Sequence, residues 1–323
     1  MHIVCQKKES NHYKIGNWYG KPYHFFGDYL YHKYNAKILK LSINAHLGCP
    51  NRDGTVGSSG CIFCSEGSAS PTATGFKTIH QQMQAAIDGF NRGLYSPQYI
   101  AYFQAFTNTY AKADVLKKLY DEALHFPHVI GLMIGTRPDC LPDDILDLIA
   151  GYKKEHFELW LEIGMQSMHD KSLKFLQRGH THSQTVDAIT RASKRGIPIC
   201  VHIILGIPGE RWDDMMSTAI ELSGLPVQGV KIHHLHVIRN TPLETLYHNG
   251  EVPLLSFKQY VSYVCDFIER LSGHIIIHRL LGDQPKDMLI APAWGLHKGT
   301  VLKAIEDELL RRGTYQGFLC DSY

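Results

Sequence analysis

Six short apolar runs, each followed by a stretch of helical periodicity, limit the folds open to this chain more than any other feature. Residues 37–44 (KILKLSIN), 99–103, 129–134, 157–163, 197–205 and 229–236 read as strands. Between the first two, Ile79, Met83, Ile87 and Phe90 recur every three to four residues and predict a helix. Residues 113–125, 143–154, 183–195 and 212–223 read as further helices, with Ser183 placed to cap the third of these. The run IPICVHIIL at 197–205 is apolar nearly throughout, as a strand covered on both faces must be. Alternation of this kind predicts a parallel sheet with right-handed crossovers. The expected fold class is α/β, a partial (βα)6 TIM-like barrel over residues 36–242. An N-terminal arm, 1–35, precedes it with a helix at 26–33, and a helical and strand extension, 243–323, covers it. In that extension 256–271 reads as a helix, 275–281 as a short strand, and Lys298–Arg312 as a closing helix.

Sites in such folds form at the C-terminal ends of the strands. The polar, glycine-bearing sequences fall there: QAFTNTY, GTRPD, GMQS, GIPGE and VIRNTP follow the second to sixth strands. After the first strand comes CPNRDGTVGSSGCIFC, which carries Cys49, Cys61 and Cys64. Three thiolates are one short of the closed tetrahedron of a structural zinc site and of the four cysteines of most electron-transfer clusters. A 4Fe–4S cluster held by three of its irons leaves the fourth free for a small molecule. The chemistry that uses such a vacancy is radical S-adenosylmethionine (SAM) catalysis. Phe63, next to the last cysteine, suits packing on the adenine. A zinc site completed by His46 or a distant cysteine is the alternative.

Charge and composition decide less. Thirty-three Lys and Arg against 31 Asp and Glu leave a net charge of +2, which neither demands nor excludes a nucleic-acid partner. No run approaches the ~18 apolar residues of a membrane span, and the opening MHIVCQKKES has no apolar signal core. Eight cysteines are too few for a disulfide framework in a chain this long, so a reduced, cytoplasmic setting without membrane or DNA partners is expected.

Taken together, CPNRDG…GCIFC, FQAFTNTYA, GTRPDCL, LEIGMQS, RGHTH, HIILGIPGE and KIHHLHVIRNTPL resemble the YhcC-type radical SAM proteins. That family is similar in its barrel to the radical SAM domain of the Elongator catalytic subunit. The likeness runs from about residue 16 through IIHRLLGD and APAW near the C-terminus. The cysteine loop has the longer spacing of this family, not the common C-x-x-x-C-x-x-C, and the first fifteen residues match nothing in it.

The resemblance implies a radical SAM fold, a 4Fe–4S cluster and S-adenosyl-L-methionine as cofactors, and Cys49, Cys61 and Cys64 as cluster ligands. It places Gln104, Thr107 and Asn108 toward the SAM amino group, and Glu162, Gln166 and Arg178 toward its ribose or carboxylate. Gly206, in GIPGE, falls near the adenine and ribose. It further implies an electron donor such as flavodoxin or ferredoxin. As substrate it suggests tRNA, with a wobble uridine side chain taken from 5-carboxymethylaminomethyluridine toward 5-aminomethyluridine. A small metabolite as substrate, or a non-catalytic Fe–S or zinc protein, are the alternatives.

Other conspicuous residues have plainer readings. Arg137 and Asp139 form either a structural ion pair or a substrate contact. His202, His233, His234 and His236 read as core or hydrogen-bonded histidines, with His234 and His236 on one strand face. Cys5, Cys140, Cys200 and Cys265 read as ordinary thiols.

Overall fold

The structure is a computed structural model that describes residues 18–64, 78–90, 98–282, 284–285 and 287–320. Seven parallel strands form one sheet: β1 (Ile38–Ile43), β2 (Gln98–Phe103), β3 (Val129–Thr136), β4 (Glu158–Gln166), β5 (Ile199–Leu205), β6 (Gly229–His234) and β8 (Ile276–Arg279). Neighbours in the sheet are neighbours in the chain, except that β8 joins the far edge beside β6. The sheet is the curled half-barrel expected from the alternation, with one strand more. The run at 275–281 was expected to lie in a covering extension; it pairs with β6 instead, because Ile276 and Ile277 complete both faces of that edge.

Each strand sends alternate side chains to opposite faces. Leu41, Phe103, Ile134, Leu161, Val201 and Ile232 belong to the outer core. There they meet α2 (Ile79–Phe90), α3 (Ala113–Leu124), α4 (Asp143–Ala150), α6 (His182–Lys194) and α7 (Trp212–Gly224). Behind α7 lie α9 (Phe257–Arg270) and α10 (Lys298–Arg312), whose Val264, Ile268, Ile305 and Leu309 extend the same core. The inner face is covered differently. Ile100, Tyr102, Met133, Trp160 and Cys200 meet Phe26 and Leu30 of α1 (Phe26–Tyr34). Phe26 stacks on His278 at 3.8 Å and stands edge-on to Trp160 at 5.6 Å. The hydroxyls of Tyr29 and Tyr34 donate to Glu158, the first residue of β4, so α1 closes the N-terminal end of the barrel. Residues 1–17 of the expected arm lie outside the described residues.

Several local expectations shift. The cap of α6 is Thr181, not Ser183, since the extended backbone lies at Thr181. Its hydroxyl accepts from the Gln184 N–H, and the Gln184 side chain accepts from the Thr181 N–H. α4 ends at Ala150 rather than 154, and β4 runs on to Gln166. Three short pieces escaped the sequence reading: α5 (Asp170–Phe175), α8 (Pro242–His248), and an antiparallel pair of β7 (Val237–Ile238) with β9 (Leu289–Ala291). None is long enough to display a period. No described helix is long and apolar enough to cross a membrane.

The reciprocal cap makes a simple forecast. Thr181→Ala removes one of two orphan-donor contacts at the start of α6, and should lower unfolding stability by about 1 kcal/mol in a urea titration. Ser183→Ala, at the position expected from sequence, should cost less.

Candidate functional site

The cysteine loop starts where β1 ends and is wound by its own backbone. Arg52 N–H donates to the Cys49 carbonyl, Val56 N–H to Pro50, Gly60 N–H to Asn51 and Cys64 N–H to Cys61. It is then tied to the chain beyond β4 and β6. Ile62 N–H donates to the Leu176 carbonyl, Leu243 N–H donates to that of Ile62, and Asn51 Nδ2 donates to that of Gln177 at 2.6 Å. Phe63 packs with Ile62 into a small apolar cluster with Leu176, Ile204, Ile207 and Leu235. The thiols are thereby held at the C-terminal edge of the sheet.

Cys61 is buried, and Cys49 and Cys64 are half-buried. Two donors reach the Cys61 sulfur, Arg178 Nη1 at 3.2 Å and Asn51 Nδ2 at 3.4 Å. The same guanidinium donates through Nη2 to the Gly164 carbonyl at 2.9 Å and through Nε to His180 Nε2 at 3.2 Å. Burial and the Arg178 charge push the His180 pKa down to about 3, so its ring stays a neutral acceptor. Gly179 sits at φ +69°, and a Cβ there would meet Val56 at 2.5 Å and Asn51 Oδ1 at 2.9 Å. The RGHTH turn therefore needs glycine to lie against the cysteine loop.

Arg137 lies beside the same thiols. It forms a two-point pair with Asp139, Nε to Oδ1 at 3.0 Å and Nη2 to Oδ2 at 2.8 Å. Burial works against its charge, while Asp139 first, then Cys61 and Cys49, hold its pKa above the usual value. The pair is structural as far as it goes, but Nη1 is left buried without a partner.

The other expected site residues fall at different depths. Asn108 bridges two strand ends, its Nδ2 donating to the carbonyls of Phe103 and Gly135, and its Oδ1 is buried without a partner. Thr107 is buried beside it, and Gln104 accepts from Ser42 Oγ at 3.1 Å. Gln166 closes β4 with φ +70° at a register shift against β5, a strained conformation for a residue with a Cβ. Gly206 has φ +83°, and a Cβ there would meet the Leu255 side chain at 2.8 Å, so the turn and a close approach both require it.

Glu162 is not at this edge. It lies inside the barrel, fully buried, its two oxygens taken by Lys231 and by His202 Nε2 at 3.0 Å. Burial alone raises a carboxyl pKa; here Lys231 and His202 outweigh it and hold Glu162 well below the carboxylate range. His202 is thus the satisfied histidine that its apolar strand suggests. His234 stacks on Trp294 at 4.4 Å and meets His236 edge-on at 4.0 Å. Burial raises the pKa of the Cys140 and Cys265 thiols to about 12 and that of Cys200 well above the ordinary value, so these thiols are inert. Cys5 lies outside the described residues.

Sequence reasoning missed Lys40, Tyr102, Lys231 and Arg279, which surround Glu162. Their signal was available: Lys40 and Lys231 each interrupt an apolar strand, at positions that share the inward face with Ser42 and His233.

Glu162→Gln leaves the buried Lys231 ammonium without its counter-charge. The expected cost is about 3–5 kcal/mol in denaturant unfolding, and the double change Glu162→Gln with Lys231→Met should recover much of it.

Residues 43–222 match the model of the Radical SAM superfamily, and residues 227–311 that of the Radical_SAM C-terminal domain. The chain is 39% identical over 298 residues to YtqA of Bacillus subtilis, covering 92% of each. It is 33% identical over 293 residues to YhcC of Escherichia coli, covering 91% of this chain and 94% of that one. Human Elongator complex protein 3 is 26% identical over 165 residues, half of this chain and 29% of the longer protein. In three dimensions the chain matches the archaeal Elp3 of Methanocaldococcus infernus with a TM-score of 0.64 at 15% identity, over 87% of this chain and 64% of the other. That last likeness speaks to the fold. The family implies a 4Fe–4S cluster and SAM. With more than half of its length matched by the first model, the chain belongs to the radical SAM superfamily and is a radical SAM enzyme.

Proposed function

We propose that Cys49, Cys61 and Cys64 hold a 4Fe–4S cluster by three irons, and that the enzyme acts on the side chain of a tRNA wobble uridine. The reaction takes 5-carboxymethylaminomethyluridine toward 5-aminomethyluridine: the C–N bond to the carboxymethyl group is broken, water takes its place and the two carbons leave as glyoxylate, with SAM, reduced overall to methionine and 5′-deoxyadenosine, as the two-electron oxidant. The observation that carries the cluster assignment is Arg178. A buried guanidinium donating to the Cys61 sulfur suits the negative charge that a cluster-bound cysteine carries. Spacing supports it. A single tetrahedral zinc ion with ~2.3 Å bonds sets its sulfurs about 3.8 Å apart. Among the described residues the trio with donor atoms all within 4.8 Å of one another is Glu162, Cys200 and His278, not the loop cysteines. The loop suits a group larger than one ion.

When bound, the cluster and SAM supply a 5′-deoxyadenosyl radical that takes a hydrogen atom from substrate. The chain's own residues set the stage. Asn51 and Arg178 orient Cys61 and offset its charge. The unpartnered Arg137 Nη1 and Asn108 Oδ1 are a donor and an acceptor left over beside the strand ends, suited to the polar groups of SAM. Gln104, Thr107 and Gln166 border the same edge, and Phe63 and Gly206 border the apolar cluster beneath the loop. With α1 closing the opposite end, substrate reaches the inner face from the thiol side. Support for the uridine comes from the partial likeness to Elongator complex protein 3 and from the cationic inner face. An external reductant of the flavodoxin or ferredoxin kind supplies the electron.

Any one of Cys49→Ala, Cys61→Ala or Cys64→Ala should abolish the brown absorption of the anaerobically reconstituted protein, together with all turnover, while Cys265→Ala keeps both. Loss of the cluster in the Cys265 variant would overturn the ligand assignment.

Mass spectrometry of nucleosides from tRNA incubated with reconstituted enzyme, dithionite and SAM should show 5-carboxymethylaminomethyluridine falling as 5-aminomethyluridine rises. An unchanged profile with 5′-deoxyadenosine still formed removes tRNA and leaves a small-molecule substrate.

A further inference from the structure

Three cationic side chains enter the barrel from three strands, and a single carboxylate among the described residues answers them. Lys231 of β6 is fully buried and is spent on Glu162. Lys40 of β1 and Arg279 of β8 come from the two outermost strands of the sheet, both of which pack against α1. Both are half-buried, and neither has a carboxylate partner among the described residues. Lys40 Nζ lies over two rings, Phe26 at 5.4 Å and Tyr102 at 6.0 Å, and Glu162 acts on it through space without pairing with it.

The remaining groups facing Lys40 carry no compensating charge. Tyr102 and Cys200 are pushed up by burial and stay neutral. His202, His233 and His278 are pushed down by burial and stay neutral as well. The inner face thus holds Lys40, Lys231 and Arg279 against Glu162. Cations left uncompensated in such surroundings are costly, unless the ligand that belongs there is an anion. A metal ion is the wrong occupant. Glu162, Cys200 and His278 are close enough to hold one, but the ion would have to displace Lys231 from Glu162 and sit among two further positive charges.

We propose that Lys40 and Arg279 form a carboxylate-binding subsite on the inner face, which seats the acidic end of the substrate. Its identity as the carboxymethyl group of the modified uridine rests on the reading above; the subsite itself does not. Lys40 lies three residues before the end of β1, so its Cα is roughly 10 Å below the thiol edge. A side chain anchored there by its carboxylate lays its methylene carbons back toward that edge, where the hydrogen atom is taken. The subsite therefore selects for the acid and sets which carbon is presented.

The protonation of Lys40 gives a sign. Burial, reinforced by Lys231 and Arg279 and opposed by Glu162, lowers its pKa to about 7. A bound carboxylate favours the charged amine. Affinity is therefore greatest below pH 7 and falls as pH rises beyond it.

Two measurements separate the subsite from the uridine. In the first, lysines of the reconstituted protein are trace-acetylated at pH 7.5 with acetate or an equal concentration of chloride, and read by mass spectrometry. Acetate should slow labelling of Lys40 at least about threefold and leave exposed Lys303 unchanged, and Arg279→Gln should abolish the protection. In the second, anticodon stem-loop RNAs carrying 5-carboxymethylaminomethyluridine or 5-aminomethyluridine are compared by Kd. The acidic RNA should bind about tenfold tighter or more. Lys40→Met and Arg279→Gln should bring the ratio near one without weakening the aminomethyl RNA, and Lys40→Arg should preserve the preference. Thermal melting of each variant checks that it is folded. Protection of Lys40 without RNA discrimination keeps the subsite and removes the uridine. Discrimination that survives both substitutions, or no protection by acetate, overturns the subsite.

Discussion

A parallel sheet covered on both faces gives its inner side chains no bulk water, and that constraint shapes this protein from the centre outward. On the outer face the solution is ordinary: branched apolar side chains meet amphipathic helices. On the inner face the chain places ions. Glu162 survives there because Lys231 and His202 occupy both of its oxygens, and Lys231 has Tyr102 as a second partner at 2.9 Å. Below that layer α1 supplies aromatic rings, and Glu158 is satisfied by Lys33, Tyr29, Tyr34 and the indole N–H of Trp160. The barrel is therefore closed by aromatic rings around one ion pair at one end, ionic in the middle and polar at the rim.

The rim is assembled from distant parts of the chain by a few directional contacts. Arg178 is the clearest case, one guanidinium joining the cysteine loop, the end of β4 and His180. Gly179 lets that turn approach the loop, and Asn51 binds the loop back to Gln177. A loop rich in Gly and Ser has little conformational preference of its own. Its shape comes from these attachments, which explains how a loose sequence can present three sulfurs in one place.

The strands and the longer helices were legible because their apolar spacing is dictated by the faces they bury; α10 matches its sequence-based range, and β2, α3 and α7 differ by a residue. The seventh strand was visible as a strand but not as part of the barrel, since the pairing of β8 with β6 depends on how the chain returns after α9. The cysteine triad was legible as an open ligand set. Depth was not. Glu162 and Gln166 are four residues apart on one strand, yet one is locked in an ion pair inside and the other sits strained at the rim. Lys40 was passed over because a lone lysine in a strand usually reaches solvent, and only the curl of the sheet turns this one inward.

The helix that stoppers the lower end has a kinetic meaning. For molecules travelling along the axis, the half-barrel is a blind well, and depth becomes order in time. Whatever rests against Tyr102 and Lys231 must arrive before anything settles over the sulfurs, and must depart after it.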